Sequence, residues 1–116
     1  SNYYTLAAPA AVTDIEGATT GSNPTEFILQ QNYPNPFNPS TTIRFELPVQ
    51  SHVQLSVYNL LGQRIAVLVD DIKAAGVYTV QWHGKDTSGR QVSTGIYLVK
   101  LEAVDQVQIR RMTLLK

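Results

Sequence analysis

The sequence predicts an all-β protein, an antiparallel β-sandwich of about seven strands, on three observations. From Phe27 onward apolar and polar residues alternate with a period of two, which sends every second side chain to the same face of a strand. Clusters of Gly, Pro, Asn, Asp and Ser interrupt these runs at short intervals, as turns between antiparallel strands require. No stretch keeps a helical period over helical length. The best helical candidate, Asp70–Ala75, is too short to exceed a single turn.

In chain order the first strand is expected at residues 27–31 (FILQQ). The second follows where Ile43, Phe45 and Leu47 alternate with Arg44 and Glu46, and the third where Val53, Leu55 and Val57 alternate with Gln54 and Ser56. Ile65–Val69 and Ile96–Leu101 are more continuously apolar, the pattern of strands lying centrally in a sheet. Tyr78, Val80 and Trp82 share the inner face of another strand, with Thr79 and Gln81 outward. Val107–Leu115 alternates again, with a bulge expected at Arg110 and Arg111. Turns are expected at 48–51, 59–62, 70–76, 84–89 and 103–106. The 90 residues from Phe27 to Lys116 match the size of an immunoglobulin-like antiparallel β-sandwich.

Residues 1–26 read differently. They carry Asp14, Glu16 and Glu26 with no Lys or Arg, and GATTGSNPTE lacks sustained periodicity, so this part is expected to be a linker. The chain does not begin with Met, and residues 1–26 are expected to tether the domain at 27–116 to an upstream part of a longer protein.

With 116 residues the chain suits one domain and one core. Nine Lys and Arg balance nine Asp and Glu, so there is no concentrated basic surface to attract nucleic acid or an anionic membrane. The absence of cysteine excludes disulfides and thiolate zinc sites.

The most specific stretch is QNYPNPFNPSTTIRFELP, from Gln31 to Pro48. Pro34, Pro36 and Pro39 lack amide donors and push their preceding residues toward extended geometry, so the run cannot be a central strand and is expected to be a rigid, polyproline-like connector. With three residues per turn, Asn32, Asn35 and Asn38 would share one face and bond unpaired backbone groups. Tyr33 and Phe37 would anchor the connector on the core.

Three constellations have competing readings. His83, Asp86 and Ser88 lie close together, but the Gly-bounded HGKDTSG run favours Asp86 as a turn acceptor over a hydrolytic triad. His52 and His83 adjoin inward positions and face outward, and no His, Asp or Glu spacing suits zinc or calcium, so no metal and no cofactor are expected. Trp82, Tyr78, Tyr58 and Tyr97 could stack on a sugar, which would make an accessory adhesion or carbohydrate-binding module of a secreted hydrolase. Tyr78 and Trp82 share a face with Val80, however, and core packing is the simpler expectation.

QNYPNPFNPSTTIRFELP, followed by VQLSVYNLLGQRIAVLVD, AAGVYTVQWHGKDTSGRQVSTGIYLVKL and the end RRMTLLK, resembles the C-terminal sorting domain of the type IX secretion system, type A, also described as a FlgD-like immunoglobulin domain. The NYPNPFNP run, the LLG turn with Gly62, the GVY and GIY strand starts at Gly76 and Gly95, and Lys116 carry the resemblance, which covers residues 27–116. It implies a non-enzymatic secretion signal. An outer-membrane translocon would recognise the folded domain, the fused passenger would pass through the periplasm to the exterior or cell surface, and a cell-surface sorting peptidase would cut near the linker. The expected recognition surface comprises Asn32, Tyr33, Asn35, Phe37, Asn38, Lys100, Arg110, Arg111 and Lys116. Exposed terminal strands also allow a strand-exchanged homodimer.

Overall fold

The computed structural model describes residues 24–103 and 105–115. Nearly all of the expected tether, together with Val104 and Lys116, therefore lies outside the described residues. Seven strands are present among those described: β1 (Ile28–Leu29), β2 (Thr41–Leu47), β3 (Ser51–Asn59), β4 (Arg64–Lys73), β5 (Gly76–Trp82), β6 (Gly95–Ala103) and β7 (Gln106–Leu114). They form two antiparallel sheets, one in the order β1-β2-β5 and the other β4-β3-β6-β7. The all-β, immunoglobulin-like sandwich anticipated from the alternation is the fold observed.

The core follows the period of two. Ile43, Phe45 and Leu47 from the smaller sheet meet Val53, Leu55, Val57, Val99, Leu101, Met112 and Leu114 from the larger one, all fully buried. Each such side chain contributes about 1.5–3 kcal/mol by leaving water. Tyr78 stacks on Phe45 with ring centroids 5.3 Å apart, and Trp82 meets Tyr97 edge-on at 5.6 Å. Trp82, at 3% exposure, and the buried Tyr97 cannot form the sugar-stacking platform weighed above.

The strand starts at Gly76 and Gly95 are built alike. The Tyr78 hydroxyl donates to the Ala74 carbonyl and the Tyr97 hydroxyl to the Ser93 carbonyl, each at 2.6 Å and each four residues back. The apolar rings therefore enter the sandwich while their polar tips tie down the chain that leads into the strand.

Four local expectations are corrected. The strand expected at 27–31 is only the two residues of β1, because the chain turns toward Asn32 and the proline run after one further ladder bond, Gln30 N to Arg44 O at 2.9 Å. The turn expected at 70–76 shrinks to Ala74–Ala75, since β4 continues through Asp70 and Asp71 to Lys73. Those carboxylates are tolerated because β4 is an edge strand, where charge also discourages pairing with another chain.

Ile65–Val69 lies on that edge and not centrally, whereas Ile96–Leu101 is central as expected. Its apolar run has a different cause. Leu55 pairs with Val69 and Ser56 with Val67, then Val57 with Ala66 and Tyr58 with Arg64, so Leu68 and Ile65 are each an extra residue in β4. Two bulges reset which side faces the core, and adjacent residues can both be apolar without the strand being covered on both faces.

No bulge occurs at Arg110 and Arg111, because the β6–β7 register runs unbroken from Gly95↔Leu114 to Ala103↔Gln106. Arg110 pairs with Val99 and Arg111 with Leu98, so the two guanidinium groups leave opposite faces of β7. Arg110 occupies an inner-face register position, opposite the buried Val99, but is exposed.

Candidate recognition surface around the connector

The proline run is fastened along the free edge of the last strand. Phe37 N donates to Thr113 O and Leu115 N donates to Phe37 O, both at 2.9 Å, making a parallel bridge between Phe37 and Leu114. Thr113 N donates to the Asn35 side-chain oxygen at 2.9 Å, and the Gln31 amide donates to Arg111 O at 2.7 Å. Backbone groups of an edge strand that would otherwise face solvent are thus satisfied by residues about 80 positions earlier in the chain.

Phe37 is the apolar anchor it was expected to be. At 2% exposure its ring lies 5.7 Å from that of Trp82, which in turn meets Tyr97, so one line of aromatics joins connector, smaller sheet and larger sheet. At the far end of the run, Pro39 O faces Gly84, which has a φ of +70° and where a Cβ would stand 3.2 Å from that oxygen. Ser40 Oγ and His83 Nδ1 make a hydrogen bond of 2.8 Å beside it.

Tyr33 is not an anchor; it is 80% exposed. Its backbone exchanges both hydrogen bonds with Thr42, N to O at 2.9 Å and O from N at 2.8 Å. Directly opposed residues of an antiparallel pair point the same way, and Thr42 is the outward residue between the buried Thr41 and Ile43. Tyr33 must therefore point out.

The three asparagines also part company: Asn32 is 2% exposed, whereas Asn35 and Asn38 are exposed, so the shared face of a polyproline-like helix is not observed. The segment is instead a succession of bends at residues 34–36 and 38–39. The Asn32 amide donates to Pro34 O at 3.2 Å and to Thr41 Oγ1 at 2.9 Å, its oxygen accepts from the Gln31 amide at 2.6 Å, and Thr41 Oγ1 donates to Pro34 O at 2.9 Å. A buried polar side chain is costly unless its bonds are made, and here they are made on the underside of Tyr33–Pro36.

The charged residues of the expected surface are dispersed. Arg111 adjoins the connector through its carbonyl, and Arg110 leaves the other face of the same strand. Lys100 lies one strand further in, paired with Ile109, where it contacts Glu102 at 3.1 Å and stands over the Tyr58 ring at 5.6 Å. Lys116 is outside the described residues.

Gln108 makes a structural contact not anticipated from the alternation. Its side chain accepts from Leu29 N at 2.7 Å and donates to Phe27 O at 2.8 Å, latching the first strand of one sheet to the last strand of the other. The available signal was a glutamine at an inward register position, opposite the buried Leu101.

The residues considered as a triad are engaged otherwise. Asp86 Oδ1 accepts from the Ser88 hydroxyl at 2.7 Å, from Arg90 N at 2.9 Å and from Ser88 N at 3.0 Å, while His83 bonds Ser40. The Ser88 hydroxyl bond, then the Arg90 amide, hold the Asp86 carboxyl below its ordinary value. This is the turn-acceptor arrangement expected of the HGKDTSG run. His52 also faces outward, 2.8 Å from Asp70.

Comparison with known proteins places these elements in context. The profile of the FlgD Ig-like domain matches residues 34–106, starting inside the connector. Among solved structures, the chain is similar to dimeric latent PorU from Porphyromonas gingivalis, with 17% identity and a TM-score of 0.61 over 77% of this chain and 9% of that one. It is also similar to FlgD from P. aeruginosa, with 25% identity and a TM-score of 0.51 over 64% of this chain and 57% of that one. The likeness to PorU is one of fold. No curated protein matches the chain.

Proposed function

Since the chain belongs to the FlgD Ig-like domain family, we propose that it is a non-catalytic sorting domain that directs a fused upstream passenger through a type IX translocon in the outer membrane. The passenger would travel by way of the periplasm to the exterior or cell surface, where a sorting peptidase would cut near the linker. The observation that carries this reading is the fastening of the connector to the final strand, with Phe37 bonded to Thr113 and Leu115. Two of the segments that resemble type IX sorting domains, NYPNPFNP and the described part of the end, Arg111–Leu115, are thereby joined edge to edge.

The same fastening bears on the strand-exchanged homodimer. The β7 edge is occupied by the connector near Arg111–Leu115, so exchange through that edge has to displace the connector or use the Gln106–Ile109 half. The full protein, compared with a version lacking residues 27–116, tests the sorting role in a host with a working type IX system. Loss of the domain should leave the passenger in the periplasm, and undiminished export without it would overturn the reading.

A further inference from the structure

Building on the sorting reading, we propose that the bend Tyr33–Pro34–Asn35–Pro36 is the contact knob of this domain, with the Tyr33 ring entering an uncharged, apolar cleft on a protein of the export machinery. The knob is exposed at all four residues, yet it is held from below at Tyr33, Pro34 and Asn35. Tyr33 is bridged to Thr42, Pro34 O is gripped by Asn32 and Thr41, Asn35 is bonded to Thr113, and the next residue is the buried Phe37. A crossover between sheets needs Phe37 and satisfied carbonyls; it does not need a tyrosine ring 80% in solvent.

 

Such an aromatic, paid for in advance by a rigid backbone, loses little entropy on docking, and tyrosine is among the residues that dominate protein interfaces. The chemistry of the partner follows from the composition of the segment. From Gln31 to Ile43 there is no Asp, Glu, Lys or Arg, so the knob itself offers rings, proline faces and amide groups but no charge, the exposed Arg44 and Arg111 lying at its margins. A cleft lined by charged side chains would be desolvated without compensation, whereas an apolar cleft with an acceptor for the phenolic hydroxyl is matched.

The test uses the full protein, passenger included, in the type IX host, with export measured as the extracellular fraction of the passenger and folding as the melting temperature of the purified protein. Tyr33→Ala should leave melting unchanged and lower export about tenfold or more. Tyr33→Phe should retain export to within about twofold, because the ring does most of the packing. Asn35→Asp keeps an acceptor for Thr113 N but places a charge on the knob, and should lower export without unfolding the domain. Wild-type export by Tyr33→Ala, with export still abolished by deletion of 27–116, would overturn the knob and leave the sorting role standing. Undiminished export without 27–116 would overturn both. Undiminished export by Asn35→Asp would overturn the uncharged cleft. Sedimentation of the wild type and Tyr33→Ala tests a second copy as the occupant, and co-sedimentation with insoluble polysaccharide tests a glycan. Self-association or polysaccharide binding that Tyr33→Ala abolishes would overturn the proposed partner.

Discussion

The connector at Gln31–Pro39 and the loop at Gly84–Arg90 look alike in composition, both short, polar and rich in turn residues, but they are held in opposite ways. In the loop, Asp86 bonds Ser88 and Arg90, and Asp86 N donates to Arg90 O at 2.8 Å, so most of its bonds close within a few residues. Its ties beyond itself are Thr87 N and Oγ1 on Ile65 O, the Trp82 indole on Lys85 O, Val92 N on Gly84 O and a bridge between Lys85 and Gln91. In the connector, Gln31, Asn35 and Phe37 reach Arg111, Thr113 and Leu115, and Phe37 is part of the core. One segment is a turn that stabilises itself; the other is a long-range fastening whose loss should be felt across the sandwich.

Substitutions should separate the two regions in that order. Phe37→Ala removes a buried ring from the aromatic line between the sheets and is expected to destabilise the domain by about 3 kcal/mol or more; an unchanged denaturant midpoint would show that the connector does not contribute to the core. Asn32→Ala leaves part of a buried polar network unsatisfied and should cost about 1–3 kcal/mol in the same titration. Gly84→Ala forces a side chain into a left-handed backbone facing Pro39 O, and a loss of about 1–2 kcal/mol is expected by thermal unfolding.

The exposed positions should respond least. Arg110→Gln and Arg111→Gln, which leave opposite faces of the last strand, should each change stability by less than about 0.5 kcal/mol. For Asp86 the effect is local and its pH dependence has a definite sign. Its folded-state carboxyl titrates below the ordinary value, so its contribution is complete above that value and is lost as pH falls through the lowered one. The protection of the Ser88 and Arg90 amides should accordingly be insensitive to pH near neutrality and fall only in acid, and Asp86→Asn should weaken it at neutral pH without moving the unfolding midpoint appreciably.

Much of the sandwich was legible because burial imposes a period of two: the inward sets Ile43–Phe45–Leu47, Val53–Leu55–Val57 and Tyr78–Val80–Trp82 could be read directly from alternation. Continuous apolar residues were more ambiguous. Ile65–Val69 and Ile96–Leu101 look equivalent as strings, but bulges account for the first and central placement for the second. The Asp86 turn was readable because its partners lie within four residues. The connector was only half readable, since proline excluded a central strand but nothing local showed that Asn35 would bond Thr113 or that pairing with Thr42 would turn Tyr33 outward. The Gln108 latch depends on a partner about 80 residues away and was missed for the same reason.

Native-state hydrogen exchange compares the two regions in a single sample, and it bears most directly on whether connector and final strand form one unit. The Phe37, Thr113 and Leu115 amides should exchange only through the same large opening that releases the core amides of β6, while Ser88 and Arg90 exchange through a smaller local opening. Exchange of Phe37 and Leu115 as fast as Ser88, with β6 still protected, would contradict a connector fastened to the terminal strand and remove the edge-to-edge junction on which the sorting role rests.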